Sequence, residues 1–379
     1  MRKKGFTKAG SQRWKCDACR LSSTARREDS SRMAEFRAFI AWVTGKESMA
    51  EAASRLGITR QAFSSRIAWC WNVGPALPAV SRSHRYAMAD GTYVPYGWCL
   101  LVLTGDDGRP AEWQWCSTET KAAYLRLFRG LKRPGLLVCD GGRGSLAAAE
   151  TKWRGVAVQR CLVHVLRNTR VDLTNRPKSD AGKELLRLAR GLTKVKTADD
   201  AVTWLADLNA WHTKHGDYLK ERATAKQDPV HARGRKWWWT HERLRRAWLR
   251  LAGLNRAGVL FAFCDPAVVG SGPPLPATTN QLEGGVNAVV KRTLDHHRGL
   301  SEEHMKRCCE WTVYMLTEHP DPESFVNPDH WKTKKTETAG NDGPAPGTLT
   351  AVQLPAPGID AHESGFGIRN GWGGRSHRP

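Results

Sequence analysis

The spacing of apolar residues divides the middle of the chain into short strands and helices. Runs in which apolar residues are continuous or alternate with polar ones are typical of strands, whereas apolar residues three or four apart are typical of helices. The predicted order is strand 86–94, strand 98–104, strand 111–117, helix 120–131, strand 135–139, helix 145–153 and strand 156–161. A turn containing Gly105 and Pro110 separates the second strand from the third, so we expect the first three strands to form an antiparallel meander.

This order of three strands, helix, strand, helix, strand is that of the ribonuclease-H-like fold, in which a further helix completes the sheet domain. Here the spacing stays helical for more than a hundred residues, for example in 199–212, where Thr197 is placed to cap the helix. We therefore expect an α/β protein with a ribonuclease-H-like mixed sheet whose first part is 81–164, an all-α insertion at 165–276 and final helices at 277–330.

A second helical pattern precedes the sheet, in residues 31–75. From Met49 to Ile67 the sequence predicts a helix, a turn at Gly57 and a second helix capped by Thr59. A helix-turn-helix unit of this kind places its second helix in the major groove of DNA, and an ordinary helical pair is the alternative. The candidate base contacts are Arg60, Gln61, Ser64 and Arg66.

The first 30 residues are basic and polar and contain the pair Cys16 and Cys19. The Cys-x-x-Cys spacing is that of the second half of a zinc ribbon, but a structural zinc site needs four ligands and no cysteine precedes Cys16. We therefore predict a partial zinc ribbon at 1–30, in which Cys16 and Cys19 either form a Zn²⁺ half-site or bind no metal. A start codon further upstream or a truncated copy would explain the missing half.

Charge adds a partner to this picture. Lys and Arg total 59 against 37 Asp and Glu, which gives a formal net charge of +22. Such an excess favours a polyanion as partner, because neutralised phosphates release counterions, although a genome rich in Arg codons would produce the same bias. The 17 Trp add weight to nucleic acid, since aromatic faces stack on unpaired bases. After residue 335 the chain is rich in Gly, Pro, Thr and Ala, which predicts a disordered tail at 335–379.

The remaining composition argues for a protein of the cytoplasm that makes no membrane contact. The sequence has no run of about 18 apolar residues and no apolar stretch behind its basic start, so neither a membrane span nor a secretory signal is expected. Ten cysteines in such a chain are expected to be thiols rather than a disulfide framework.

Three acidic residues carry the candidate chemistry. Asp90 lies inside an apolar strand, where Asp is disfavoured, and Asp140 ends a strand just before two glycines. Glu283 shares a helix stripe with Asn287 and Lys291, beside a core stripe of Leu282, Val286 and Val289. The structural alternatives are a strand-ending turn at Asp140 and a capping box between Asn280 and Glu283.

Carboxylates in this arrangement suit a pair of Mg²⁺ or Mn²⁺ ions. Two such ions about 3.5–4 Å apart activate a nucleophile and stabilise the leaving oxygen of an in-line phosphoryl displacement. Mg²⁺ prefers oxygen ligands and keeps several waters, so Asp90, Asp140 and Glu283 suffice to hold the pair.

With these motifs in place, the sequence resembles the Mutator-type bacterial insertion-sequence transposases (the insertion sequence 256 family, of the DDE class). The resemblance covers about 81–318 and rests on Asp90-Gly91, Asp140-Gly141, Cys161-Leu-Val-His164, the long helical insertion and Thr279-Asn-Gln-Leu-Glu283 followed by Asn287 and Lys291. It implies that Asp90, Asp140 and Glu283 are the catalytic triad. It also implies a functional role for Cys161 and His164 beside the active site.

Two further groups of residues have both a functional and a structural interpretation. Cys161 and His164 alone are too few for a zinc site, and a buried thiol with a histidine at a helix start is the structural alternative. The run from Arg233 to Arg246 joins basic residues to three tryptophans; a base could stack there, or Trp238 and Trp248 could form the core of the insertion. We include Arg235, Lys236, Trp237, Trp238 and Lys291 among the DNA-binding candidates.

The resemblance implies a reaction and its partners. The enzyme would cleave DNA at the terminal inverted repeats of a mobile element and join the 3′ ends to target DNA, at the nucleoid. Because two element ends must be brought together, we expect a homodimer. A non-catalytic DNA-binding regulator and a ribonuclease-H-like nuclease that cuts without joining are the rival functions.

Overall fold

The computed structural model describes residues 1–8, 10–24, 28–77 and 83–331, so the predicted tail at 335–379 lies outside the described residues. The chain divides into two compact units. One contains Met1–Leu77 and the segment that begins at Ala288, and the other contains Pro78–Asn287. Residues 288–330, which the sequence analysis grouped with the sheet, therefore belong to the unit of the N-terminal residues.

The first unit begins with a small antiparallel sheet and three helices. Their bounds are β1 (Arg2–Phe6), β2 (Gln12–Lys15), β3 (Ser22–Thr24), α1 (Glu28–Val43), α2 (Met49–Arg55) and α3 (Arg60–Ile67). Ser48 and Glu51 form a capping box on α2, and the Thr59 hydroxyl accepts from the Ala62 N–H at 3.1 Å at the start of α3. The predicted pair of helices, with Thr59 as the cap of the second, is thereby confirmed.

The second unit contains a five-stranded mixed sheet in the predicted element order. Its elements are β4 (Tyr86–Val94), β5 (Trp98–Thr104), β6 (Pro110–Cys116), α4 (Lys121–Leu127), β7 (Leu136–Cys139), α5 (Arg143–Lys152) and β8 (Ala157–Arg160). The spatial order is β6-β5-β4-β7-β8; β4 runs antiparallel to β5 and parallel to β7, and β8 runs parallel to β7. The predicted α/β class is confirmed.

One face of this sheet forms a core with α4 and α5. Ala89, Leu101 and Leu137 are fully buried there against Leu127 and Phe128 of the α4 region. Because successive strand residues point to opposite faces, Asp90 points away from the core face that Ala89 occupies. The strand that buries Ala89 therefore turns the next side chain toward the other side of the sheet.

The insertion follows β8 and is mainly helical. Its elements are α6 (Leu162–Leu173), α7 (Asp180–Gly191), α8 (Ala198–His215), β9 (Arg222–Thr224), α9 (Pro229–Ala232), β10 (Trp237–Trp239), α10 (Glu242–Arg256) and α11 (Pro266–Val269). The expectation that 165–276 is all-α was wrong, because β9 and β10 form an antiparallel hairpin. Three consecutive tryptophans favour a strand, and Arg233 and Gly234 take positive φ values of 45° and 79° in the loop between the strands.

The segment after the insertion is helical but not one regular α-helix. It comprises α12 (Asn280–Leu282), a π-helical segment (Glu283–Asn287) and α13 (Ala288–His296), and α14 (Glu302–Tyr314) follows. A π turn adds one residue to the repeat and rotates every later residue around the axis. The predicted core stripe is therefore shifted after Val286: Val290 is buried, whereas Val289 is half-buried.

Candidate active site

The two aspartates lie side by side on neighbouring strands. Ala89 of β4 pairs with Cys139 of β7 in parallel register, and Asp90 and Asp140 are the next residues of the two strands. Both carboxylates therefore lie at the same level, at the carboxyl end of β7, where α/β sheets characteristically bind ligands. Each is half-buried.

Asp140 is oriented by the turn that leads into α5. The Gly142 N–H donates to its Oδ1 at 2.8 Å. Gly141, between them, has a φ of +81°, and a Cβ at this position would lie 1.8 Å from the Nε of Arg160. Only glycine fits such a turn, so glycine is required at position 141 both by the backbone and by the close approach of Arg160.

Asp90 is held by an amide and surrounded by negative charge. The Asn287 Nδ2 donates to its Oδ2 at 2.9 Å. Burial raises the pKa of Asp90 well above its usual range, and the charges of Asp140, Glu119 and Glu283 raise it further, while His164 opposes them. The charges of both other predicted carboxylates thus raise the pKa of Asp90.

Glu119 is a fourth carboxylate of this site that was not predicted from the sequence. The Tyr124 hydroxyl donates to its Oε2 at 2.6 Å, and its Oε1 lies 2.9 Å from where a Cβ of Gly91 would be. Burial, followed by the charge of Asp140, raises the pKa of Glu119 to about 7. The sequence feature that could have indicated a neighbour here is Gly91, directly after Asp90. Because glycine has no side chain, it leaves room for a residue from another part of the chain.

Glu283 is positioned by Thr279 rather than by a capping box. The Thr279 hydroxyl donates to its Oε1 at 2.5 Å, and Nδ1 of His164 lies 3.7 Å from the same oxygen. Thr279 is fully buried, and its own N–H donates to the Sγ of Cys161 at 3.4 Å. Thr279, which the sequence analysis treated only as part of a motif, therefore links Glu283 to Cys161.

Cys161 and His164 lie at the start of α6. Cys161 is the N-cap residue, His164 is in the first turn, and both are buried. Burial alone would raise the pKa of Cys161, but the hydrogen bond and charge of His164, with a contribution from Thr279, lower it overall. Burial likewise works against protonation of His164, yet Cys161, Glu283 and Asp90 raise its pKa. Each member of the pair therefore shifts the pKa of the other toward its charged form.

Not all of the predicted residues are equally close. One ligand atom from each of Cys161, His164 and Glu283 lies within 4.8 Å of the other two. Among the described residues, no other three His, Cys, Asp or Glu side chains come this close together. Asp90, Asp140 and Glu283 do not form a group this tight. The charges of Asp140 and Glu283 nevertheless both raise the pKa of Asp90.

The predicted zinc half-site has no further ligand in the described part of the chain. Cys16 is half-buried and Cys19 is exposed, and both are free thiols between β2 and β3. The three-stranded sheet thus carries a single pair of cysteines.

The predicted DNA contacts are mainly at the surface. On α3, Arg60, Gln61 and Arg66 are exposed and Ser64 is half-buried; Lys291 is exposed on α13. In the hairpin of the insertion, Arg235, Lys236 and Trp237 are exposed and Trp238 is half-buried, with the Arg235 guanidinium 5.5 Å from the Trp238 ring centroid.

The hairpin also has a face on which Arg and Trp alternate. The guanidinium of Arg222 lies 4.5 Å from the Trp237 ring and 4.3 Å from the Trp239 ring, and that of Arg245 lies 4.1 Å from Trp239. Trp248, the proposed core partner of Trp238, instead stacks on His212 with centroids 4.2 Å apart. These contacts hold flat aromatic and cationic groups at the surface of the insertion.

None of the helices described is both long and apolar enough to cross a membrane. A search of curated proteins finds no match to the chain. Residues 113–227, fewer than a third of the 379 residues, match the family described as Transposase, Mutator family. The match includes Glu119, Asp140, Cys161 and His164, and it ends within the loop of the β9–β10 hairpin. Over this stretch the chain is similar to the Mutator family transposases.

Proposed function

We propose that this protein is a DNA transposase of the DDE class that cleaves DNA at the terminal inverted repeats of a mobile element and joins the 3′ ends to target DNA. The observation that carries the proposal is that Asp90 and Asp140 are adjacent on parallel strands. The charge of Glu283 also raises the pKa of Asp90. The match to Mutator family transposases supports it, because it includes the Asp140 strand and the Cys161–His164 pair.

Strand topology also supports the proposal. A meander of three antiparallel strands followed by two parallel strands, each reached through a helix, is the arrangement expected of a ribonuclease-H-like domain. In this arrangement the first strand is central, so a carboxylate on β4 and one after β7 lie side by side. We therefore assign the second unit to the ribonuclease-H-like class, with the insertion between β8 and α12.

The donor set fits divalent cations. Asp90, Asp140, Glu119 and Glu283 offer carboxylate oxygens, and oxygen is the ligand that Mg²⁺ and Mn²⁺ prefer. The raised pKa of Asp90 reflects burial among like charges, which a cation would relieve. When bound, two such ions would activate the attacking oxygen and stabilise the leaving oxygen at phosphorus.

The protein's own groups would orient these donors. Asn287 holds an oxygen of Asp90, the Gly142 N–H holds an oxygen of Asp140, and the Thr279 hydroxyl holds an oxygen of Glu283. Outer contacts of this kind fix the direction of ligand lone pairs. The Nε of Arg160 is buried without a hydrogen-bond partner among the described residues, and its guanidinium lies against Gly141, so we assign it to the scissile phosphate.

DNA would be bound at two further places. The exposed face of α3 is our candidate for the major groove, with Arg60, Gln61 and Arg66 as contacts. The Arg and Trp face of the hairpin suits an unpaired base at a cleaved end, worth roughly 1–3 kcal/mol per stacked base. Two element ends react together, which favours a homodimer.

A strand-transfer assay tests the proposal. Purified protein, Mg²⁺, a plasmid target and DNA carrying the sequences that bracket the gene should give cleaved ends and joined product. Asp90→Asn and Asp140→Asn should abolish both products, whereas Asp207→Asn, at an exposed position of α8, should not. Cleavage without joining would identify a nuclease instead, and DNA binding without any chemistry would identify a regulator.

A further inference from the structure

We infer that Cys161, His164 and Glu283 form a binding site for one thiophilic divalent cation of the Zn²⁺ or Co²⁺ class. The candidate donor atoms lie within 4.8 Å of one another, and Nδ1 of His164 is 3.7 Å from Oε1 of Glu283. In a tetrahedral zinc site with bonds of about 2.0–2.1 Å, nitrogen and oxygen ligands are about 3.3 Å apart. A contraction of about 0.4 Å, within the reach of side-chain torsions, brings this pair to bonding geometry.

The chemistry of the donors distinguishes this site from the carboxylate site beside it. A cysteine sulfur and an imidazole are ligands for Zn²⁺ and Co²⁺, whereas Mg²⁺ selects oxygen. Three protein ligands leave the fourth tetrahedral position open to water or to a substrate oxygen. The thiol that no step of the proposed transposition requires thereby acquires a role.

The ligands are held in place before any cation arrives. Cys161 and His164 are three positions apart at the start of α6, so both side chains project from one face of its first turn. Thr279 supplies the outer shell: its N–H donates to the sulfur of Cys161 and its hydroxyl donates to Glu283. Hydrogen bonds to the ligands are the usual support of a protein metal site, and a single buried residue provides two of them here.

The site also bears on the proposed transposition. This consequence rests on the proposed function, because Glu283 would be shared between the two sites. A Zn²⁺ ion bound to Cys161 and His164 would hold the Glu283 carboxylate on the α6 side and reduce its share in the Mg²⁺ site. Zn²⁺ would then act as an inhibitor that competes for one ligand of the Mg²⁺-dependent reaction.

Co²⁺ titration of the full chain, reduced and metal-free, tests the inference without DNA or activity. We expect a thiolate-to-cobalt charge-transfer band that saturates at one equivalent in a Cys16→Ser/Cys19→Ser background, which removes the cysteine pair between β2 and β3. Cys161→Ser should abolish this band, and addition of Zn²⁺ should bleach it. Asp90→Asn should leave it unchanged even though strand transfer is lost, so the two proposals fail independently.

Glu283→Gln is the second variant, because its side chain is partly exposed and the substitution preserves size. It should weaken Co²⁺ binding at least tenfold, with the melting temperature of the metal-free protein as a check on folding. A Cys16→Ser/Cys19→Ser protein that shows no thiolate band, or a band that survives Cys161→Ser, would overturn the site. Equal Co²⁺ affinity in the Glu283→Gln variant would also overturn it, because the donors would then be Cys161 and His164 alone.

Discussion

The strands that carry Asp90 and Asp140 and the helical segment that carries Glu283 constrain their carboxylates in different ways. The backbone ladder between β4 and β7 fixes the two aspartates at one level, one residue beyond the Ala89–Cys139 pair. Glu283 instead begins a π-helical segment, and the two glycines that follow it have open space where a side chain would be. The positions of Asp90 and Asp140 are fixed by the sheet, and the position of Glu283 is set by the π-helical segment.

This difference shows how the three acids can serve one reaction. A sheet position cannot move without disturbing its neighbours, because each ladder hydrogen bond ties one strand to the next. A π turn can be rewound to an α turn by a shift of one residue, and such turns occur frequently at functional sites. Asp90 and Asp140 would thus form the fixed part of the site, and Glu283 the part that can adjust to bound ions and DNA.

The largest expected effect comes from removing a charge on the fixed side. Asp90→Asn and Asp140→Asn should each lower the rate of strand transfer at least about 10³-fold, which corresponds to about 4 kcal/mol of transition-state stabilisation. The melting temperature of the metal-free protein should stay equal or rise, because repulsion among buried carboxylates is relieved. Retention of wild-type transfer by either variant would contradict the assignment.

Changing side-chain length should separate the two parts of the site. Asp90→Glu should abolish strand transfer, because the strand cannot withdraw to accommodate one more methylene group. Glu283→Asp should lower it by only about 10- to 100-fold, since the π segment can bring the shorter side chain forward; each factor of ten is about 1.4 kcal/mol. Single-turnover assays with pre-cleaved ends measure the strand-transfer rates of both variants. Equal losses of rate would show that Glu283 is held as rigidly as Asp90.

Glu119 gives a pH dependence of intermediate size. Its folded pKa of about 7 exceeds the ordinary 4.5, so the folded state binds this proton more tightly than the unfolded state does. Its contribution to stability is therefore present below pH 4.5 and is lost as pH rises to about 7. In the metal-free protein this loss should be on the order of 3 kcal/mol.

Chemical unfolding between pH 5 and 8 measures this effect, with Glu119→Gln as the reference. The wild-type protein should lose stability relative to the variant as pH rises through 7. The pKa of Asp90 is also raised, so both proteins are expected to lose some stability as pH rises. Only the difference between their pH profiles reports on Glu119, and parallel profiles would show that Glu119 does not titrate in this range.

The smallest expected effect concerns the glycines of the π segment. Gly285→Ala should raise the free energy of unfolding by roughly 0.4–1 kcal/mol, because alanine restricts the unfolded chain and meets no atom within 4 Å in the fold. It should also slow strand transfer a few-fold if the segment must rewind. The matched control is Gly253→Ala in α10, which also has open space and should stabilise without slowing the reaction. Equal rates for both variants would argue against a mobile Glu283.

Sequence alone predicted the parts of this molecule that depend on local pattern. The strands β4 to β8 follow from runs of apolar residues, and Asp90 and Asp140 stand out because carboxylates are unusual where those runs place them. Glu119 could not be found in this way, since its position depends on the close approach of its side chain to Gly91, which lies far from it in the sequence. The π segment was also unpredictable, because a one-residue widening leaves the pattern of Leu282 and Val286 unchanged.

The hairpin within the insertion illustrates a different limit. Trp237, Trp238 and Trp239 suit a strand or a buried helix equally well, and the helical neighbours on both sides favoured the wrong choice. Pairing with Arg222–Thr224 decides the matter, and that pairing is closed across a loop of 12 residues. Features that depend on contacts between residues distant along the chain were therefore not predictable from the local sequence pattern.

The outer edge of β8 is covered by residues that lie far ahead in the chain. The Arg160 N–H donates to the Val259 carbonyl at 2.8 Å, and the Gln159 side chain donates to the Leu260 carbonyl at 2.9 Å, 101 residues away. During synthesis this edge stays open until Val259 and Leu260 have left the ribosome, and open strand edges recruit other chains. Early termination within the insertion would thus release fragments that are prone to aggregate. Slower translation would lengthen the time during which the edge of β8 is unpaired in each nascent chain.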